Sequence, residues 1–166
     1  MHRLVLLIGG NQGDRLSLIQ QATEQIRTRI GSVAAVSSIH ETEPWGEFAV
    51  ERGKRKVDSF LNRALLVDTA LMPHEALREA LAIEAALGRR RGRGGVGERR
   101  LYHSRPMDID LIFYDDAVVD TPDLVIPHPR AHLRRFVLEP LAELIPDYRH
   151  PVFGMTVAEL LGGLRV

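Results

Sequence analysis

The order of its predicted elements places this chain in the α+β class, as a ferredoxin-like βαββαβ sandwich with a C-terminal extension of helices and loops. Four short segments have the apolar or alternating character of strands, and two longer segments carry apolar residues at helical spacing. The two kinds follow one another as β-α-β-β-α-β. With 166 residues, the chain is expected to fold as a single domain over residues 1–166.

The first half of the chain supports the first three elements. Residues 4–8 form an apolar run that ends at Gly9-Gly10, which predicts a buried strand. A helix is expected to begin after Asp14, whose side chain can cap the first turn, and to stop at Gly31. Residues 33–39 are small or β-branched and predict the second strand. The apolar stripe of the helix consists of Leu16, Ile19, Ala22 or Thr23, Ile26 and Ile30.

The second half repeats the pattern. Residues 57–67 alternate between two faces and predict a third strand. Pro73 suits the first turn of a second helix, which Gly88 closes. Residues 107–114 predict the fourth strand, with Met107, Ile109, Leu111 and Phe113 toward the core. The apolar positions of the second helix are Leu77, Ala80, Leu81 and Leu87.

The C-terminal extension begins with a loop punctuated by prolines. A short helix is expected over residues 137–145, and a final helix begins at Thr156, which forms a capping box with Glu159. The prolines of the loop are Pro122, Pro127 and Pro129.

Charge is balanced over the chain but strongly segregated along it. Basic and acidic residues number 22 each, so we expect no nucleic-acid partner. Residues 88–105 hold seven arginines and one glutamate, and residues 108–123 hold six aspartates and no basic residue. No apolar run approaches the ~20 residues of a membrane span. Without a secretory signal, a cytoplasmic location is expected. The absence of cysteine excludes disulfides and thiolate chemistry. We also expect a monomer.

The sharpest local signal is Asp108-Ile109-Asp110. On a strand, both carboxylates lie on one face, about 6.6 Å apart along the chain, while their neighbours face the core. Two carboxylates suit one or two Mg²⁺ ions, which complete their shell with water and substrate phosphate. The alternative is a solvated, acidic strand end.

The arginines of residues 89–105 surround a group of glycines. Such a loop can fold over a polyphosphate and donate charge-assisted hydrogen bonds, although an exposed loop without a ligand fits the composition equally well.

No G-x-x-x-x-G-K-S/T motif is present, which excludes a P-loop kinase. Asn11 stands where a dinucleotide fingerprint requires its middle glycine, which excludes that motif as well.

Several single residues have both a structural and a functional interpretation. Glu84 lies on the apolar stripe of the second helix, so its carboxylate needs a partner such as Arg89 or Arg91, or else reaches the surface. His128 lies between two prolines and is either a structural hydrogen-bonding residue or part of a nucleotide site. Hydroxyl, flat apolar and amide groups at Thr42, Trp45 and Asn62 suit a planar heterocycle, and equally suit packing or capping.

Taken together and in order, the motifs resemble the 6-hydroxymethyl-7,8-dihydropterin pyrophosphokinase family of folate biosynthesis. The resemblance covers almost the whole chain. It runs through residues 8–14, 41–46, 60–62, 83–84 with 88–89, 104–111, 126–129, 134–136 and 140–141.

The resemblance implies a ferredoxin-like enzyme that transfers the terminal diphosphate of ATP to the hydroxymethyl group of the pterin and releases AMP. Asp108 and Asp110 would hold two Mg²⁺ ions, and Arg89 and Arg105 would clamp the phosphates. The implied pterin contacts are Thr42, Trp45, Asn62, Asp108 and Phe136. The implied ATP contacts are Glu84, Arg89, Arg91, Tyr102, Arg105, Leu111, His128 and Arg134.

The chain departs from the usual family pattern at several positions and invites two alternatives. Tyr102 replaces a frequent tryptophan, Leu81 a glutamine and Trp45 a leucine. Similar sheets also serve as RNA-binding modules, which need aromatic residues to stack bases, but only 5% of this chain is aromatic. A ligand-sensing domain without catalysis would not need both the Asp108-x-Asp110 pair and the arginine loop.

Overall fold

A computed structural model of the chain describes residues 1–43, 59–88 and 106–164. Within these residues, antiparallel strands and four α-helices confirm the α+β class. The strands are β1 (His2–Gly10), β2 (Gly31–Val36), β3 (His40–Thr42), β4 (Phe60–Thr69), β5 (Asp108–Tyr114), β6 (Val119–Thr121) and β7 (Leu124–Ile126). The α-helices are α1 (Arg15–Arg29), α2 (Pro73–Ala86), α3 (Arg135–Leu144) and α4 (Val157–Gly162), and a 3₁₀ turn covers Ala131–Leu133.

The main sheet is built around β1, which pairs with β4 on one side and β5 on the other. The strand order is β2-β4-β1-β5, and β3 extends the edge beside β4. Both central strands are buried on both faces, which explains why their sequences are nearly continuous apolar runs. The strand ends at Gly10, and both glycines of the predicted strand end still pair with β4.

The helix α1 begins as predicted. Asp14 is its N-cap and accepts a hydrogen bond from the Ser17 amide at 3.2 Å. Leu16 is 50% exposed, contrary to the prediction, because it lies about 60° around the helix from the buried Ile19. Gly31 does not form the helix end but starts β2 directly after it.

The helix α2 shows a similar difference at one position. It begins at Pro73 as predicted, and Ala80 is buried. Leu81 is 48% exposed, since it lies about 100° around the helix from Ala80. Ile83 takes the core position instead, and Glu84 lies on the buried stripe as its sequence position predicts.

The predicted second strand, residues 33–39, is divided into β2 and β3 by a serine. The Ser37 hydroxyl accepts a hydrogen bond from the Ala64 amide at 2.9 Å, and the Ser37 amide donates to the Ala64 carbonyl. A side chain therefore replaces one main-chain acceptor of the ladder. The two short strands pair with successive parts of β4.

Strand β5 contains a bulge that reverses the direction of one predicted side chain. Val5 lies opposite Phe113 and Leu6 lies opposite Leu111, so Ile112 is an extra residue. Met107, Ile109 and Leu111 pack with α1 and α2, as predicted. The prediction that Phe113 shares their face is wrong, because the bulge turns it toward α3.

Helices cover both faces of the sheet. α1 and α2 pack on one face, and α3 and α4 close the other around Val5, Leu7 and Phe113. The short helix of the extension begins two residues earlier than expected, whereas the Thr156–Glu159 capping box is confirmed. The β6-β7 hairpin was not predicted, because each strand has only three residues. No helix in the described part of the chain is long and apolar enough to cross a membrane.

The start of β2 offers a test of this packing. An added Cβ at Gly31 would lie 2.1 Å from the Asp68 carbonyl oxygen, so Gly31→Ala must push two paired strands apart. We expect it to lower the free energy of unfolding by about 1–3 kcal/mol. Gly162→Ala is the matched control, because nothing lies within 4 Å of its added Cβ. Urea unfolding measures both, and equal stability of the two variants would contradict this register.

Candidate functional site

A row of four residues crosses the sheet on the face that α3 partly covers. Asp108 lies opposite Gly9, Gly9 lies opposite Asn62, and Asn62 lies opposite His40. Residues directly opposite in antiparallel strands project from the same face. The pairing therefore brings the predicted metal ligand Asp108 and the predicted pterin contact Asn62 to the two sides of a glycine.

Position 9 requires a glycine, because the Asn62 side chain occupies the space that a side chain there would need. An added Cβ at Gly9 would lie 2.4 Å from the Asn62 side-chain oxygen and 2.5 Å from the Leu61 carbonyl oxygen. The Asn62 amide therefore extends over β1, into the place of the missing side chain.

Two of the predicted pterin contacts are hydrogen-bonded to each other. The Asn62 amide nitrogen donates to the Thr42 hydroxyl oxygen at 3.2 Å. Asn62 is only 5% exposed, which restricts its side chain to this orientation. Since Thr42 accepts this bond, its own hydroxyl hydrogen is directed elsewhere and can be donated to a ligand.

The two aspartates lie on the same face, as the alternation of β5 predicts. Asp108 is opposite Gly9 and Asp110 is opposite Leu7, and the bulge follows only after both. Arg134 lies close enough to interact with both carboxylates. Burial lowers the pKa of Arg134, and the charges of Asp110 and Asp108 act against that shift. The structure thus brings three predicted site residues into one charged cluster.

His128 belongs to the same cluster. Its main-chain amide donates to the Ile112 carbonyl at 3.0 Å, which attaches the loop to the bulge of β5. Its Nδ1 lies 3.2 Å from the Arg130 amide and accepts that bond, so the neutral ring carries its proton on Nε2. Burial, followed by the charge of Arg134, lowers the pKa of His128, while Asp108 acts in the opposite direction.

Phe136 provides an aromatic surface next to these charges. The guanidinium carbon of Arg134 lies 5.6 Å from the centre of the Phe136 ring, within the range of a cation–π contact. Phe136 is partly buried at the start of α3. The N-terminal end of one helix therefore positions both the aromatic ring and the cation.

Two predicted ATP contacts lie on the other side of the sheet. Glu84 is 3% exposed, and its carboxylate accepts a hydrogen bond from the Ile109 amide at 2.7 Å. The buried carboxylate thus has a main-chain partner in addition to any from the predicted Arg89 or Arg91. The Leu111 side chain packs in the core with α1 and α2. Contacts of Glu84 and Leu111 with ATP stay predictions.

The other predicted site residues lie outside the described ranges: they are Trp45, Arg89, Arg91, Tyr102 and Arg105. Within the residues that the structure does describe, no three histidine, cysteine, aspartate or glutamate side chains form a group able to hold a metal ion. Asp108 and Asp110 are a pair of carboxylates close to Arg134.

Sequence reasoning missed two features of this region. Arg130 adds positive charge that lowers the pKa of both His128 and Arg134, and only its closeness to His128 in sequence could have indicated this. Glu143 binds His40, at the end of the residue row, although 103 residues separate the two. No local sequence pattern indicates such a pair.

Comparison with known proteins decides the family. The family model of 7,8-dihydro-6-hydroxymethylpterin-pyrophosphokinase (HPPK) matches residues 5–146. The chain belongs to this family. A 2-amino-4-hydroxy-6-hydroxymethyldihydropteridine pyrophosphokinase of Methylorubrum extorquens is 41% identical over 99% of this chain and 94% of its own length. The protein of the same name from Aquifex aeolicus is 31% identical over 96% and 90% of the two chains.

Solved structures support the fold of this HPPK family member. The chain of Plasmodium falciparum HPPK-DHPS wild type with SDX-DHP has a TM-score of 0.73 and 16% sequence identity. The match covers 98% of this chain and 43% of that chain, so the present chain spans less than half of the larger protein. At this identity the likeness shows the fold alone.

Membership of the HPPK family confirms the resemblance and the enzyme class expected from the sequence. The relatives are named as pyrophosphokinases, which agrees with the predicted transfer of diphosphate. An RNA-binding or ligand-sensing module without catalysis is not favoured by these findings.

The environment of His128 in this HPPK family member predicts how the ring titrates. Protonation would remove the acceptor used by the Arg130 amide and add a cation beside Arg134. We expect an NMR titration midpoint below 6.5 for the imidazole resonance that disappears in His128→Gln. As pH falls below about 6.5, the unfolded state takes up a proton on this histidine before the folded state does. His128 therefore lowers the free energy of unfolding as pH falls through this range. A midpoint at or above that value would contradict the assigned environment.

Proposed function

We propose that this chain transfers the terminal diphosphate of ATP to the hydroxymethyl oxygen of 6-hydroxymethyl-7,8-dihydropterin. The hydroxymethyl oxygen forms a bond to the β-phosphorus, and the bond from that phosphorus to the oxygen bridging the α-phosphate breaks. AMP leaves with the bridging oxygen, and the hydroxyl proton passes to solvent. The observation that carries the proposal is the row from Asp108 across Gly9 to Asn62, in a chain of the pyrophosphokinase family.

The paired aspartates fit the Mg²⁺ ions that this reaction is expected to use. Asp108 and Asp110 offer oxygen ligands on one face, and Mg²⁺ commonly takes one or two carboxylates together with water and substrate phosphate. Ions held by two carboxylates can also be bound by the phosphate oxygens of ATP. We propose that the pair holds two ions, whose chemistry is to neutralise phosphate charge.

For the pterin, Asn62 and Thr42 offer an amide and a hydroxyl at one edge of the site, and Asp108 lies across Gly9 from them. A ring edge that both donates and accepts hydrogen bonds matches this set. Phe136 supplies a flat surface for stacking. Trp45, which the resemblance places on the opposite face of the ring, completes the proposed pterin site.

The proposed ATP site uses the cations next to the aspartates. Arg134 is held by burial and by its position beside Asp108 and Asp110. Neutral His128 presents an Nε2–H donor, so it can bind a phosphate oxygen without acting as a base. The remaining proposed contacts come from the resemblance: Glu84, Arg89, Arg91, Tyr102, Arg105 and Leu111.

This arrangement favours catalysis by positioning. Phosphoryl transfer needs alignment of two substrates and neutralisation of charge more than it needs a covalent intermediate. Of the cations, Arg134 supplies a positive charge near both aspartates. Arg89 and Arg105 are proposed to clamp the phosphates. A general base is not required, since the attacking hydroxyl can release its proton to water.

We also propose the detailed fold type, the extent of the domain, the oligomeric state and the location of the protein. The order β2-β4-β1-β5, with α1 and α2 on one face, supports a ferredoxin-like sandwich to which α3 and α4 add a further layer. A single domain over residues 1–166 is consistent with the match over residues 5–146. A monomer in the cytoplasm, without a nucleic-acid or membrane partner, stays a prediction.

Product analysis tests the reaction. The chain is incubated with ATP and Mg²⁺, with and without 6-hydroxymethyl-7,8-dihydropterin, and nucleotides and pterins are identified by mass. We expect AMP and the pterin diphosphate, both only when the pterin is present. Formation of ADP would contradict diphosphate transfer, and the absence of any nucleotide turnover would contradict an enzyme.

Asp110 tests the proposed role of the carboxylate pair. Asp110→Asn keeps the size of the side chain but removes one charge, so we expect at least a roughly 100-fold loss of kcat, equivalent to about 2.7 kcal/mol. The melting temperature should change little. Asp120→Asn is the control, since Asp120 is an exposed aspartate on β6 outside the charged cluster. Turnover within threefold of wild type in Asp110→Asn would contradict the metal assignment.

A further inference from the structure

We infer that Glu143 is a positioning residue for the pterin, because it fixes the strand that carries Thr42 to the helix that carries Phe136. This inference rests on the proposed function, in which both elements contact the pterin. Glu143 and the two residues that bind its carboxylate, Ser38 and His40, form what we term the Glu143 brace. None of the three contacts the proposed substrates in the arrangement described above.

Three hydrogen bonds converge on the Glu143 carboxylate. The Ser38 amide donates to Oε1 at 2.8 Å, the Ser38 hydroxyl donates to Oε2 at 2.7 Å, and His40 Nε2 lies 2.5 Å from Oε2. Hydrogen bonds to an ionised acceptor are shorter and stronger than neutral ones. The bonds from Ser38 and His40 also lower the pKa of Glu143, which keeps the acceptor charged.

Strand β3 needs such a connection. It has three residues and pairs with β4 at the edge of the sheet. Its first residue, His40, lies opposite Asn62, and its last residue, Thr42, accepts the Asn62 hydrogen bond. The brace therefore holds the same short strand that presents Thr42, at a point two residues away.

The other end of the brace lies on α3, which also carries Phe136. Phe136 lies in the first turn of α3 and Glu143 in its last, and seven residues at 1.5 Å each separate them by about 10 Å along the axis. Between these two residues, the buried side chains of Val137, Leu138 and Leu141 anchor the helix against the sheet. Any shift of β3 relative to Glu143 therefore moves the proposed hydrogen-bonding edge at Thr42 relative to the proposed stacking surface of Phe136.

The chemistry of the brace suggests a discriminating substitution. In Glu143→Gln, the amide has almost the same volume as the carboxylate, but only one of its two terminal atoms can accept. The other atom is a donor and faces the donors of Ser38 or His40. We expect the KM for the pterin to rise about 5–10-fold, with the KM for ATP within twofold of wild type.

Glu139→Gln is the matched control. Glu139 lies one turn earlier on the same helix, and its carboxylate contacts Arg135, four residues away. The Glu139→Gln substitution removes the same charge from α3 as Glu143→Gln does, but it affects no contact with β3. The KM values for ATP and for the pterin should therefore both match wild type. A merely structural role for Glu143 would reduce the active fraction and kcat, but would leave the KM for the pterin unchanged.

Further variants keep the inference testable if Glu143→Gln folds poorly. Ser38→Ala removes one of the three bonds and should raise the KM for the pterin less. His40→Gln combined with Glu143→Gln should be no worse than Glu143→Gln alone, since both act through one connection. Glu143→Asp retains the charge but not the reach, and should give an intermediate KM.

The outcomes separate the two levels of the proposal. Wild-type chain without pterin-dependent AMP formation would overturn the proposed function itself. An active wild type in which Glu143→Gln and Ser38→Ala leave the KM for the pterin unchanged would overturn only the brace. An equal rise of the KM values for ATP and pterin would also overturn it, because the brace predicts an effect on the pterin alone.

Discussion

The register of β1 between β4 and β5 is the constraint on which the rest of the structure depends. Gly9 lies opposite both Asn62 and Asp108, so a single residue sets their separation and their common face. A shift of one residue in either pairing would move a carboxylate or the amide to the face that α1 and α2 cover. A shift that placed Ile8 opposite Asn62 is resisted, because its Cβ would occupy the space of the Asn62 side-chain oxygen.

A local irregularity then completes the charged cluster. The bulge at Ile112 turns Phe113 toward α3 and leaves the Ile112 carbonyl to bind the His128 amide. The loop that carries His128 is thereby held beside Asp108, and the following helix places Arg134 next to both aspartates. Opposite charges are assembled where the sheet and the C-terminal extension meet, which is where phosphate and its counterions must be accommodated.

The second helical layer has a functional as well as a packing role. α3 buries Val137, Leu138 and Leu141 against the sheet, and its two ends serve different parts of the proposed site. Its first turn presents Phe136, while its last turn holds β3 through Glu143. A helix that is anchored along its length by apolar contacts can fix the distance between two polar contacts at its ends.

The sequence by itself determined the α+β class, the paired direction of Asp108 and Asp110, the Asp14 and Thr156 caps, and the family resemblance. These properties depend on local periodicity or on motif order, both of which can be read along the chain. Only the tertiary structure decided the direction of Phe113, the exposure of Leu16 and Leu81, the main-chain partner of Glu84, and the link between His40 and Glu143. Each depends on a bulge, a helix rotation or a contact between distant residues, and these follow from how complete elements pack together.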